Sequence, residues 1–397
     1  MDQETIDKIA RVGEIYTPSY PIEIIDLFSG RELQFREITS AITQKGRQII
    51  IYGDRGVGKT SFANIVRALF QSQRQVSKVS CNSDDTFETL WHNIMSKLKY
   101  NYIEAKQAIG FGAEIEETDK ELIMSNLYSV EQMTIPVILQ IFELLRNPIV
   151  IIDEFDRLDS ERFQKKLFTD LIKAVSDTLP NATIIIVGVS EDVGSLIHEH
   201  ASIERNLGQI YMPTMSAEEI KTIIRRGENE LGIKFSKNVI EKIVELSSGY
   251  PHFTHALCNF SAITAILVGS EDVVYDHLLV AIRQTVNSAH ESLKESYRNA
   301  TLATKKNIFQ EVLYSAALVE TDEYGYFQAN DLEEVLSTLT GQQMRVNNFT
   351  FHLGKFCLDE RGEIFKVTGA RNRHRYKFKN PLMKAFILLK MEAERAR

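Results

Sequence analysis

Short, uninterrupted apolar runs occur through the first half of the chain and predict buried strands. The runs around 49–52, 149–152 and 184–187 consist mainly of isoleucine and valine without polar alternation, as expected for strands buried on both faces of a parallel sheet. Strands are predicted at 48–52, 75–81, 149–153, 183–189 and 209–212. Segments with helical spacing of apolar residues separate them, so residues 47–213 are predicted to form an α/β domain with a parallel, doubly wound sheet.

The pattern is helical from residue 214 onward. Ser216 and Glu219 form a capping box, and further helices are predicted at 236–246, 252–268 and 272–298, which indicates an all-α lid over residues 214–300. Within residues 301–397, helices at 304–319, 329–337 and 346–358 precede two strands at 363–368 and 375–379. Three helices followed by a hairpin is the order of a winged helix-turn-helix domain.

Two segments stand outside this order. Residues 1–46 form a leader before the first strand, and residues 100–130 form a long insertion to which the pattern assigns no structure.

Composition limits the class of protein. A chain of 397 residues that is 44% hydrophobic and 25% charged is long enough for two or three packed domains. No apolar run approaches the ~18 residues of a membrane span, and the polar start of the chain does not match a secretion signal, so a soluble, cytoplasmic protein without membrane contact is expected. Cys81, Cys258 and Cys357 lie far apart, which predicts neither a disulfide framework nor a cysteine zinc site.

Charge is distributed unevenly along the chain. The net charge is −8, yet the segment 361–390 contains nine basic residues and one acidic residue. The basic residues are Arg361, Lys366, Arg371, Arg373, Arg375, Lys377, Lys379, Lys384 and Lys390. Such a local excess favours a polyanion-binding surface near the C-terminus.

The first strand leads into a phosphate-binding motif of the form G-x-x-x-x-G-K-[ST]. Its predicted nucleotide-binding residues are Gly53, Asp54, Arg55, Gly56, Val57, Gly58, Lys59, Thr60 and Ser61. Loop N–H groups and the start of the following helix should point at phosphates, while Lys59 neutralises the β and γ oxygens and the Thr60 hydroxyl holds Mg²⁺. The motif therefore predicts ATP and Mg²⁺ as ligands.

A second acidic motif follows the apolar run at 149–152. Asp153 is predicted to orient Mg²⁺ or its water shell, and the adjacent Glu154 to activate the attacking water as general base. The alternative is that these acidic residues merely end a strand. The strand at 75–81 lies between the two motifs in sequence, an order that points to the additional-strand, catalytic-glutamate class of P-loop ATPases.

Taken together, these features resemble an AAA+ ATPase of the initiator type, the origin-recognition-like clade, bordering on the STAND signalling NTPases. The resemblance covers nearly the whole chain: a box at Gly30-Arg31-Glu32, the two nucleotide motifs, a helical lid and a C-terminal winged helix. It implies an ATPase that forms homo-oligomers and binds DNA through the winged helix. The alternative is a STAND-like signalling or defence ATPase whose C-terminal domain recruits a protein effector.

Further site residues follow from the resemblance alone. Ser190 matches the polar sensor that reports the γ-phosphate, with a helix N-cap as the alternative. Arg205 matches an arginine finger, with a surface ion pair as the alternative. The lid sequence Gly249-Tyr250-Pro251-His252 lacks the sensor arginine of initiators, so Pro251 and His252 are expected at the nucleotide instead; a packing histidine is equally compatible. This departure favours slow hydrolysis.

Within the predicted winged helix, a helix and a hairpin tip contain the candidate DNA contacts. These are Arg345, Lys355, Arg371, Arg373, Arg375 and Lys377. Phosphate contacts should dominate, so affinity should fall steeply with salt. A winged helix that contacts protein, with a solvated basic hairpin, is the alternative.

Overall fold

The computed structural model describes residues 2–23, 30–107, 115–189, 204–302, 307–322, 324–370 and 373–395, with the backbone alone for residues 103–107, 115–119 and 204. The strands in these ranges are β1 Gln48–Tyr52, β2 Val76–Ser80, β3 Lys99–Gln107, β4 Ile115–Ile123, β5 Ile149–Asp153, β6 Thr183–Gly188, β7 Leu207–Tyr211, β8 Lys234–Phe235, β9 Asp272–Val273, β10 Phe327–Gln328, β11 Phe365–Thr368 and β12 Arg375–Phe378.

The helices in the same ranges are α1 Gln3–Ile15, α2 Glu32–Thr43, α3 Lys59–Phe70, α4 Phe87–Met95, α5 Ile135–Leu145, α6 Lys165–Thr178, α7 Ala217–Leu231, α8 Lys237–Ser247, α9 Pro251–Leu267, α10 Tyr275–Ser288, α11 Glu291–Thr301, α12 Phe309–Leu318, α13 Glu333–Thr340, α14 Val346–Lys355 and α15 Leu382–Arg395. Among the described helices, none combines the length and the apolar character that crossing a membrane requires.

The chain divides into two compact units. The sheet unit comprises Pro21–Asp54 and Gly58–Pro213, and the helical unit comprises Met1–Tyr20, Arg55–Val57 and Thr214–Arg397. The leader predicted at 1–46 is thus shared between the units. The lid and the C-terminal segment, predicted as separate domains, belong to one unit.

The sheet unit is built on five parallel strands in the order β2-β5-β6-β1-β7. Every residue of β5 and β6 is buried, in agreement with their unbroken apolar sequences. The predicted α/β class and all five predicted strands are confirmed. Along the chain, β2 lies between the two nucleotide motifs. In the sheet, β6 lies between β1 and β5, and β2 is an edge strand.

Aromatic side chains fill the core on one side of this sheet. Trp91 of α4 is fully buried and meets Phe142 of α5 edge-on, with ring centroids 5.8 Å apart. Phe168 of α6 packs against Phe155, which follows β5, at 5.1 Å. The segment after β5 is therefore anchored in the core immediately beyond the acidic motif.

The insertion at 100–130 begins as an antiparallel hairpin. β3 and β4 pair from Lys99 opposite Ile123 to Gln107 opposite Ile115, and the rings of Tyr100 and Tyr102 stack at 6.3 Å. The sequence pattern did not predict these strands, because residues 99–107 mix charged, aromatic and small residues without strict alternation.

The helical unit joins the N-terminal helix to the lid. The Tyr16 hydroxyl donates to the Ile224 carbonyl of α7 at 3.1 Å, and Asn259 of α9 donates to the Tyr16 carbonyl at 3.0 Å. The capping box at Ser216 and Glu219 is confirmed. The single helix predicted at 272–298 is wrong: Ala289 is extended, with ψ 152°, and separates α10 from α11. Each of the two helices buries its own apolar face, through Leu278 and Leu293 among others.

The C-terminal segment also packs on the lid. The carboxylate of Glu392 in α15 accepts a hydrogen bond from Tyr275 of α10 at 2.7 Å and pairs with Lys242 of α8 at 2.9 Å. Before α15, the chain forms α12, α13 and α14 and a three-stranded sheet in the order β10-β12-β11.

Candidate nucleotide site

The loop between β1 and α3 has a backbone that requires glycine. Gly56 and Gly58 have φ values of 87° and 97°, in the left-handed region. At Gly53 a Cβ atom would overlap the carbonyl oxygen of Met212, which follows β7. Gly58 is the N-cap of α3, so the first N–H groups of that helix lie at the loop, where a phosphate is stabilised.

Three polar side chains follow the loop. Lys59 Nζ donates to the carbonyl oxygens of Gly53 at 3.1 Å and Asp54 at 2.9 Å, so its ammonium lies across the loop. The Thr60 hydroxyl donates to Asp153 Oδ1 at 3.4 Å. Ser61 instead accepts from the N–H of Ile22 at 3.1 Å, which ties the start of α3 to the chain that precedes α2.

Asp153 is the buried acidic centre of the site, with 1% of its surface exposed. Its Oδ1 also accepts from the N–H of Glu154 at 2.9 Å. Its Oδ2 lies 3.0 Å from Nζ of Lys78 in β2, an ion pair that does not meet hydrogen-bond geometry, so Oδ2 retains its accepting capacity. A hydroxyl and a buried carboxylate side by side are oxygen ligands of the kind that Mg²⁺ takes, and the donor set fits that ion.

Glu154 has a left-handed backbone, with φ 56°. This conformation is costly for a residue with a Cβ and is found disproportionately at functional sites. Its side chain is 41% exposed, and Oε2 accepts from Arg157 Nη1 at 2.8 Å. The candidate general base Glu154 therefore lies at the carboxyl end of β5, beside Asp153. Its carboxylate is paired with the guanidinium of Arg157, three residues further along the chain.

Two residues expected from the resemblance lie apart from this cluster or outside the described ranges. Ser190 lies outside the described residues. Arg205 is exposed in the short turn Glu204–Asn206 that leads into the edge strand β7. Among the side chains that the structure describes, none forms an ion pair with Arg205.

The lid residues contact the N-terminal segment of their own unit. Pro251 begins α9, and His252 Nδ1 donates to the carbonyl oxygen of Pro18 at 2.7 Å. Burial lowers the pKa of His252; the hydrogen bond to Pro18 opposes this effect and the charge of His290 adds to it. In this arrangement His252 holds residues 16–18 against the lid.

Several candidate DNA contacts have partners within the chain. Lys355 pairs with Glu360 at 2.7 Å, Arg375 pairs with Asp322, and the Arg375 guanidinium lies 5.0 Å from the ring centre of Tyr326. Lys377 Nζ lies 6.0 Å from the same ring. Arg345, before α14, and Arg373, before β12, are exposed. Arg371 lies outside the described residues.

Three basic residues take part in the sheet unit, and the sequence singled out Arg31 alone among them, as part of the box at residues 30–32. Lys78 and Arg157 pair with the two carboxylates of the acidic motif. Arg31, 2% exposed, donates to the carbonyl oxygen of Pro213 at 2.7 Å and so ties the start of α2 to the end of the sheet unit. A sequence signal existed for Lys78 as well, because it is a charged residue inside a predicted strand.

Comparison with known proteins places the chain in a family. A family model described as Novel STAND NTPase 1 matches residues 19–258. A search of the curated proteins found no match.

Solved structures agree on the fold. The ORC2 protein of Aeropyrum pernix in its ADPNP–ADP complexes is similar, with a TM-score of 0.52 at 12% identity, over 96% of this chain and 98% of that one. The Walker-type ATPase of Pyrococcus abyssi is similar, with a TM-score of 0.52 at 17% identity, over 94% and 99%. At these identities the similarity establishes the fold, which is the one expected from the resemblance, and the family model confirms the resemblance to STAND NTPases.

Proposed function

Because the chain belongs to the Novel STAND NTPase 1 family, we propose that it is a switch that binds ATP with Mg²⁺, hydrolyses it slowly, assembles with copies of itself and acts through its C-terminal segment. The observation that carries the proposal is the contact of Thr60 with the buried Asp153 carboxylate, at 3.4 Å, directly after the glycine loop. Two elements distant in sequence supply the two halves of a nucleotide–metal site.

The residues of the loop bind and orient the triphosphate. Backbone N–H groups of residues 53–58 and the ammonium of Lys59 neutralise phosphate oxygens, and Lys59 leaves the carbonyls of Gly53 and Asp54 to do so. Thr60 and Asp153 would hold Mg²⁺, which would supply positive charge to the triphosphate. Ser61 and the start of α3 keep the loop anchored.

Hydrolysis requires a base and further positive charge. Glu154 takes the proton of the attacking water once its carboxylate turns away from Arg157. Arg205, exposed in the turn before β7, reaches the phosphates of a neighbouring copy. The lid sequence at residues 249–252 lacks the sensor arginine of initiators, which slows turnover.

The nucleotide half of the proposal is tested by two substitutions. Lys59→Ala is expected to weaken ATP binding by about a hundredfold, roughly 3 kcal/mol, in a titration with labelled ATP. Glu154→Gln should bind ATP normally and lose nearly all phosphate release. Lys45→Ala, which removes an exposed lysine of the same unit, is the matched control. Unchanged ATP affinity in Lys59→Ala would refute the nucleotide site.

The C-terminal segment is proposed to bind DNA as a winged helix. α12, α13 and α14 followed by the β11–β12 hairpin have the element order of that domain. Arg345 is exposed directly before α14, Arg373 is exposed in the loop between β11 and β12, and Arg371 belongs to the same loop in sequence. These residues would contact phosphates, while Lys355 and Arg375 support the surface through their internal pairs.

A protein partner is the second candidate for this surface. Phe351 of α14 is 66% exposed, and Leu358 and Val367 are each 45% exposed. A large exposed apolar side chain on the helix that would enter a groove favours protein contact over a phosphate backbone. In that case the protein is a STAND-like signalling or defence ATPase that recruits an effector.

Salt dependence separates these two outputs. If DNA is the ligand, the full chain should bind duplex DNA at low salt, and Arg345→Ala and Arg373→Ala should each weaken binding and reduce the salt slope by about one. Phe351→Ser should leave DNA binding nearly unchanged. No binding of duplex DNA at low ionic strength by the ATP-bound Glu154→Gln variant would instead favour the protein partner.

A further inference from the structure

Lys78 reaches the acidic motif from a neighbouring strand. In the β2–β5 pair, Ser80 lies opposite Asp153 and Lys78 lies opposite Ile151. Lys78 precedes Ser80 by two residues, so the two side chains lie on the same face of β2. Its Nζ lies 3.0 Å from Asp153 Oδ2, and the two side chains are 11% and 2% exposed. Lys97 donates to the Lys78 carbonyl at 2.6 Å, which fixes the backbone beneath this side chain.

The contact with Lys78 offsets the electrostatic cost of burying the Asp153 carboxylate. A carboxylate with so little contact with water is strongly unfavourable unless a countercharge accompanies it. Thr60 and the N–H of Glu154 occupy Oδ1, but both are neutral donors. Lys78 supplies a full positive charge at Oδ2 without any metal.

We propose that Lys78 is a positioning residue that neutralises Asp153 in the metal-free protein, so that a divalent cation bound at Asp153 lies beside the Lys78 ammonium. The inference rests on the proposed function for the identity of the metal site. A cation next to Lys78 is repelled until a triphosphate brings compensating negative charge. The protein therefore takes up Mg²⁺ with the nucleotide, and binds the free ion weakly.

The first test measures metal binding without nucleotide. Mn²⁺, followed by electron paramagnetic resonance, is titrated into the full chain and into Lys78→Met, which keeps the length of the side chain and removes its charge. The affinity of Lys78→Met for Mn²⁺ is expected to rise at least tenfold, and Lys78→Arg should remain close to the unmodified protein. Lys45→Met is the matched control, because it removes an exposed lysine of the same unit. An affinity for Mn²⁺ that is unchanged or weaker in Lys78→Met overturns the proposal.

The second test measures the pair itself through thermal unfolding without metal or nucleotide. Lys78→Met and Asp153→Asn are each expected to lower the unfolding midpoint, and the double variant should lose less than the sum of the two, because it buries no unpaired charge. Strictly additive losses overturn the proposal. If Lys78→Met does not fold alone, the proposal requires that Mn²⁺ or the second substitution Asp153→Asn restores folding; failure of both overturns it.

Neither test uses ATP, so the outcomes are separable from those of the proposed function. If the unmodified chain did not bind ATP, the proposed switch would be refuted, but the measured coupling between Lys78 and Asp153 would stand. Normal ATP binding with no such coupling would remove this inference alone.

Discussion

His255 illustrates how burial sets the protonation state of a single residue in the helical unit. Its ring is 5% exposed, and the N–H of Thr17 donates to its Nδ1 at 3.2 Å, so that nitrogen carries no proton. Burial lowers the pKa of His255 to about 4, and the charge of the neighbouring His252 contributes less. The folded protein therefore holds His255 neutral while it anchors the N-terminal segment.

This arrangement predicts a specific loss of stability in acid. Between pH 6.5 and about 4 the unfolded chain binds a proton at His255 and the folded chain does not, so the free energy of unfolding should fall as pH is lowered. The loss reaches about 3 kcal/mol. Denaturant titrations at several pH values should show a shallower decline for His255→Asn, whose amide oxygen accepts the same hydrogen bond. His374→Asn, at an exposed position, is the control; equal declines in both variants would contradict the assignment.

At the scale of elements, α7 contains a glycine that helix propensity alone does not explain. Gly227 lies inside the helix, and a Cβ there would overlap the hydroxyl and ring of Tyr16. The chain after α1 thus passes close against the backbone of α7, and the Tyr16 hydroxyl donates to the carbonyl of Ile224 on the same helix. The glycine allows the N-terminal segment to dock on the lid.

Two glycine substitutions test this docking. Gly13, inside α1, has open space where a Cβ would lie, so Gly13→Ala should stabilise the protein by about 0.5–1 kcal/mol through helix propensity. Gly227→Ala gains the same propensity but should destabilise by roughly 1–3 kcal/mol, because Tyr16 must move. Thermal unfolding of the two variants compares them directly. A stabilising effect at both positions would show that Tyr16 does not occupy this site in solution.

At the scale of the whole molecule, each unit brings together parts of the chain that are distant in sequence. The sheet unit places residues 58–60 and 153–154 together through the order β5-β6-β1. The helical unit combines residues 1–20 with 214–397, and Glu392 of α15 joins the C-terminal segment to α8 and α10. Assembly of several copies is the next level, and Arg205 is the residue proposed to act there.

Mixing variants tests whether Arg205 acts between copies. Arg205→Ala and Lys59→Ala are each expected to be nearly inactive, since finger arginines contribute on the order of a thousandfold or more in rate. If the two residues act across a head-to-tail contact, an equal mixture forms intact sites at roughly a quarter of its interfaces. Phosphate release should therefore recover to about that level. A mixture no more active than the average of its components would indicate that Arg205 acts, if at all, within its own chain.

Local sequence was sufficient for the elements and for the nucleotide motifs. The apolar runs predicted β1, β5 and β6, because a strand buried on both faces requires consecutive apolar residues. Glycine at 53, 56 and 58 and the acidic residues after β5 predicted the loop and Asp153 in the same local way. The hairpin at β3 and β4 was missed because its residues carry no comparable period.

Only the tertiary structure decided which distant residues became partners. The sequence by itself determined that Asp153 ends a buried strand, but the pairing of β2 with β5 decided that Lys78 neutralises it. Likewise the basic excess at 361–390 was evident from the sequence, whereas the pairing of Arg375 with Asp322 was not. The physical reason is that strand order and helix packing set the distances between residues far apart in the chain. The pattern of apolar and polar residues in a segment indicates only which of its side chains are buried and which are exposed to water.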